Sequence, residues 1–146
     1  LLMGGAVVIS RAMRRAVMLS EINLFCAACS YLQQQAIATG TMQELVFDVN
    51  AHSYSCNGHT HTLAQQVVFG VPPQVYGPPS APHKLLTEPI SFADNTICFY
   101  PEGIMSAGMV CFSDRQHKIV YAICNGVAHV SYMRRYCYEK KWRLLS

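Results

Sequence analysis

The stretch MLSEINLFCAACSYLQQQAIATG, residues 18–40, decides how this chain folds. Met18, Ile22, Phe25, Cys29, Leu32 and Ala36 follow one another in steps of four, three, four, three and four. That rhythm puts all six on one stripe of an α-helix, because residues three and four apart share a face. Ser20, Glu21, Asn23, Ser30 and Gln33 to Gln35 fill the remaining faces. The same pattern extends back to about Met3, no proline precedes Pro72, and Gly40 is a natural C-terminal stop. The reading predicts one amphipathic helix of roughly 35 residues, about 50 Å long at about 1.5 Å per residue. The remaining chain should fold to a body perhaps 30 Å across, from a radius of gyration of about 13 Å. One end of the helix should therefore overhang, and an overhanging apolar rod needs a bilayer or other subunits around it.

Downstream the periodicity changes. Leu45, Phe47 and Val49 alternate with Val46, Asp48 and Asn50, which is strand spacing. The polar stretch His52 to His61 reads as a hairpin with a loose loop, and Val67 to Val71 as a second apolar run. Pro72, Pro73, Gly77, Pro78, Pro79 and Pro82 mark a long surface connection that cannot be central strand. Strand signals then recur at Ile90–Phe92, Ile97–Tyr100, Met109–Ser113, Ile119–Cys124 and Val127–Met133. Turns at Pro101-Glu102-Gly103, Ser113-Asp114-Arg115 and Asn125-Gly126 separate them, the last giving the strongest tight-hairpin signal. A long helix followed by an antiparallel meander is an α+β layout, with the helix covering sheet. Residues 1–40 form the helical part and 41–146 the β-rich globular part.

Composition narrows the classes. With 51% hydrophobic and 13% charged residues in 146, the chain has a real core and is not disordered. The low charge suggests that part of the surface is covered by a partner. The net charge of +3 is uneven, since Arg134, Arg135, Lys140, Lys141 and Arg143 lie close together near the C-terminus. The chain starts at Leu1, which reads as a fragment or processed product, and Leu1–Ile9 as the tail of a longer hydrophobic segment. Arg11, Arg14 and Arg15 just after it suit lipid head groups or a filament surface, or equally a solvated helix face. Seven cysteines favour an oxidising compartment with disulfides. The regular spacing of Cys98, Cys111, Cys124 and Cys137 does not fix their sheet faces, and no bridge is assigned.

The order of parts resembles the minor pseudopilins of type II secretion and the related minor type IV pilins, the GspH/FimT-like family. Two stretches carry the resemblance. Gln35-Ala36-Ile37-Ala38-Thr39-Gly40 running into Leu45-Val46-Phe47-Asp48 is similar to the family's helix end, short turn and first strand. Ile90-Ser91-Phe92, Phe99-Tyr100-Pro101-Glu102-Gly103, Met109-Val110-Cys111-Phe112 and Ile119 to Gly126 look like its carboxyl-terminal strand block. Residues 50–87 fall outside the likeness. The prepilin cleavage site of such proteins is not in this sequence, and Leu1–Ile9 would be the remnant of the apolar segment that follows it. The resemblance implies a pilin-like fold and a subunit that assembles with other pseudopilins or pilins. It also implies a single-pass bacterial inner-membrane protein whose globular domain faces the periplasm, with no cofactor, no small-molecule substrate and no enzymatic activity.

Other motifs are weaker. Cys56, His59 and His61 are zinc-type ligands within a few residues, but no second pair at familiar spacing follows, and a polar hairpin tip accounts for them. Cys26-Ala27-Ala28-Cys29 has redox-motif spacing, yet it lies inside a helix with Cys29 on the apolar stripe, so packing is the better reading. Met18, Ile22, Phe25, Leu32 and Ala36 are the expected helix–sheet packing residues. The basic end, Arg134, Arg135, Lys140, Lys141 and Arg143, is interleaved with Tyr136, Tyr138 and Trp142. Cations neutralise phosphates and aromatic rings stack on bases, so this end is a candidate DNA contact, in line with DNA-uptake minor pilins of the FimT type. The alternative is a solvated terminal strand whose charges protect a sheet edge. A secreted disulfide-rich or metal-bound domain of unrelated function is the remaining rival.

Overall fold

In the computed structural model, residues 2–73, 75–77, 82–125 and 133–145 are described, with side chains from Ala12 onward. Helix α1 spans Leu2–Thr39, 38 residues, or about 57 Å at about 1.5 Å per residue. It ends where Gly40, at φ 67°, donates its amide to the Ala36 carbonyl. Among the described residues nine strands follow: β1 Gln43–Asp48, β2 Ser53–Cys56, β3 His59–Thr62, β4 Val67–Phe69, β5 Thr96–Phe99, β6 Gly108–Asp114, β7 Val120–Asn125, β8 Arg134–Tyr138 and β9 Trp142–Leu144.

The strands form two antiparallel sheets, ordered β3-β2-β1-β5 and β4-β6-β7-β8-β9. In β1, Leu45 and Phe47 face inward while Val46 and Asp48 face out. The helix stripe packs across both sheets at once. Met18, Phe25, Leu32 and Ala36 are fully excluded from solvent, and Ile22 nearly so. Phe25 is the hub: its ring meets Phe47 at 5.8 Å and Tyr54 at 5.4 Å in the first sheet, and Phe112 at 5.3 Å in the second. Burying an aromatic ring in this way stabilises strongly through area and edge-to-face contact.

Several local features differ from the sequence expectation. The His52–His61 loop is tight, not loose: Cys56 pairs with His59, so Asn57 and Gly58 alone make the turn. Both have positive φ, 51° and 78°, the type I′ geometry that this dipeptide favours. Ile90–Phe92 is not a strand. Only Ile90 bridges to Val110, because β4 already occupies the other half of that β6 edge. The basic C-terminal end is two paired strands, β8 and β9, with β9 at the sheet edge. The Asn125-Gly126 turn and most of the Val127–Met133 run lie outside the described residues.

The proline-rich connection is more than a surface link. Leu86 donates its amide to the Val75 carbonyl and Gly77 to that of Lys84, folding the segment into a strap. Trp142 donates its indole N–H to the Tyr76 carbonyl at 2.8 Å. Beneath lies a second core of Val75, Leu86, Cys111, Val120, Ala122, Cys124 and Tyr136. All six residues of β7 are therefore buried, with Tyr121 and Ile123 serving the first core.

The seven cysteines are free thiols. Cys111 and Cys124 pack under the strap and Cys137 against the first core, so they occupy opposite faces of one sheet. Burial pushes Cys124 up to about 12 and Cys111 higher still. Both stay protonated at neutral pH, which suits packing and disfavours nucleophilic or ligand roles.

Candidate functional site

From Met18 to Ala36, α1 is seated on the body through its buried stripe. Met18 is the first buried residue described, and Ala12, Met13 and Ala16 ahead of it are exposed. On the side away from the core runs a second stripe, Met13, Ala16, Ser20, Leu24, Ala27 and Tyr31, in steps of three and four, every member exposed. Met13 is 61%, Leu24 48% and Tyr31 57% accessible. Large apolar groups repeating along an uncovered helix face are the chemistry of a packing surface. The sequence reading singled out the inner stripe and left this outer one unnoticed, although the same spacing rule reveals it.

The segment Ala12–Thr39 is also long and apolar enough, by length and composition, to cross a membrane, at mean hydropathy 1.2. Its carboxyl part holds the core stripe and a buried carboxylate, so the fold itself accounts for part of that hydropathy. The carboxylate is Glu21, 8% exposed. One oxygen accepts from the Ala64 amide at 3.0 Å and the other faces His61 Nε2 at 2.8 Å. These bonds tie α1 to the β2–β3 hairpin. Glu21→Ala strands both groups, and the expected outcome is a loss of about 2 kcal/mol, read as a lower urea midpoint with an unchanged slope.

That contact also settles where the zinc-type residues stand. Cys56 lies opposite His59 and Tyr54 opposite His61, so all four share one face of the hairpin. His61 is engaged by Glu21, and among the described residues no group of three His, Cys, Asp or Glu side chains is arranged to hold a metal.

The basic residues are dispersed. Arg134 opens β8, and Arg135 reaches back to α1, donating to Asn23 Oδ1 at 2.8 Å. Lys140 and Lys141 occupy the β8–β9 turn, and Arg143 lies on the edge strand β9. Tyr136 is buried, and Tyr138 and Trp142 meet at a tilt with centroids 5.1 Å apart, both packed against the second core. The sequence treated these cations as one patch; the structure brings Lys140 instead to Arg14 and Arg15 of α1.

A long N-terminal α-helix seated on antiparallel sheet is the pilin-like arrangement. No family model and no curated protein matches this chain. Among solved structures it is similar to the minor pseudopilin EpsH from the Type 2 Secretion System of Vibrio cholerae, at TM-score 0.52 and 12% identity. The match covers 85% of this chain and 92% of that one. The chain thus has a minor-pseudopilin-like fold.

Proposed function

We propose that this protein is a minor pseudopilin-type subunit, acting by assembly rather than by catalysis. The observation that carries this reading is α1: 38 residues long, with a second, exposed stripe from Met13 to Tyr31 opposite the one its own body buries. The uncovered stripe from Met13 to Tyr31 is the face that sister subunits would bury. The part of α1 ahead of Arg14 would anchor the chain in the bacterial inner membrane before assembly, as backbone hydrogen bonding within a helix permits. The β-rich body would then stand in the periplasm. Similarity to a type II secretion pseudopilin supports protein export as the process served.

The test is photo-crosslinking in the cells that make the protein. A benzophenone side chain at Leu24 or Tyr31 should yield adducts with other pilin-like subunits, identified by mass spectrometry. The same group at Tyr76, on the strap, should yield none. Adducts equal at all three positions, or none from the helix, would overturn the assignment.

A further inference from the structure

Beside Arg14 and Arg15 of α1, a groove of about 370 Å³ opens between the helix and two turns, β6–β7 and β8–β9. Four cations line it: Arg14 and Arg15 from α1, Lys118 from the first turn and Lys140 from the second. Two acids are present, and both are already engaged. Asp114 Oδ1 accepts the amides of Lys118 at 2.8 Å and Ile119 at 3.0 Å, closing its own turn. Glu139 Oε1 pairs with Arg15 Nη2 at 2.9 Å. Arg14 donates Nη1 to the neutral Gln116 Oε1 at 3.0 Å, while its Nε is buried with no hydrogen-bond partner. Lys118 and Lys140 are exposed, and neither is in an ion pair among the described residues. The groove thus carries a surplus of two positive charges, a demand for an anion that the fold does not supply.

Its position says which anion. Arg14 and Arg15 stand one helical turn before Met18, the first buried residue described, so the groove lies beside α1 at the amino-terminal edge of its described packing on the body. On the proposed reading that α1 ahead of Arg14 enters the bilayer, the groove lies at the level of the lipid phosphates. We infer that it seats the phosphate of an anionic membrane lipid, with Arg14, Lys118 and Lys140 as ligands and Ile119 against the lipid's apolar part. Seated in this way, the head group would hold the body upright over its helix from two turns that lie far apart in the sequence.

Vesicles test this directly with the intact chain, comparing phosphatidylcholine alone with phosphatidylcholine containing phosphatidylglycerol. The parent should bind the mixed vesicles more tightly, and added salt should erase the difference. Lys118→Ala and Lys140→Ala should each weaken mixed-vesicle binding about fivefold, and together about 25-fold. Binding to phosphatidylcholine should not move, nor should Lys84→Ala, outside the groove, change either value. Equal binding of the parent to both vesicles, or variants that bind as the parent does, would refute the groove and leave the anchor intact. Failure to bind either vesicle would refute both. Duplex DNA bound with the same dependence on Lys118 and Lys140, the vesicles being ignored, would make the groove a nucleic-acid contact and overturn the proposal.

Discussion

Phe25→Ala should lower stability by about 4 kcal/mol, the middle of the range for removing a buried aromatic ring from a core. Phe25 touches Phe47 and Tyr54 of one sheet and Phe112 of the other, so no single neighbour can close the space. The cavity would open where helix and both sheets meet. For a domain of this size that corresponds to a fall in Tm of about 8–16 °C. Thermal unfolding followed by circular dichroism measures it. A fall under about 3 °C would mean that the two sheets hold together without the helix. Phe25→Leu keeps much of the volume and should recover more than half of the loss.

Gly108→Ala should act by the opposite route, crowding. Gly108 opens β6, and a Cβ there would stand 2.4 Å from Cδ1 and 2.6 Å from Cγ of the Phe92 ring. The obstacle cannot swing away cheaply, because Phe92 is 3% exposed and stacks on Phe47 with centroids 6.2 Å apart. Adding one methyl should therefore cost about 3 kcal/mol. The companion Phe92→Leu should itself destabilise, yet the double variant should be less damaged than the sum of the two. A double-mutant cycle reads this coupling, and strict additivity would show that the ring and the glycine do not contend for one space.

How much of this was legible beforehand follows from which signals are local. The inner stripe of α1 is written in steps of three and four, and Leu45 and Phe47 in steps of two, so helix, first strand and α+β class can be read directly. Asn57-Gly58 carries the same hairpin code as Asn125-Gly126, but the polar residues around it made the turn of that hairpin read as a loose loop. Arg134 to Tyr138 looks like a charged tail because Arg134 and Arg135 precede the alternation of Tyr136 and Cys137 onto opposite faces. Nothing in a run of prolines shows that Val75 and Leu86 will cover a sheet, since that depends on tertiary contact. The groove was least legible of all: Arg14, Lys118 and Lys140 meet only after the helix and two hairpins have docked.

The strap has one practical consequence. Trp142 is the chain's single tryptophan, and its indole is clasped by the carbonyl of Tyr76 against Tyr138. Its emission consequently reports from one place, the seam between the proline-rich lid and the C-terminal hairpin. Loosening of that seam would shift the spectrum even while helical ellipticity stays intact. The molecule thus carries its own optical gauge, able to tell peeling of the outer layer from detachment of the rod.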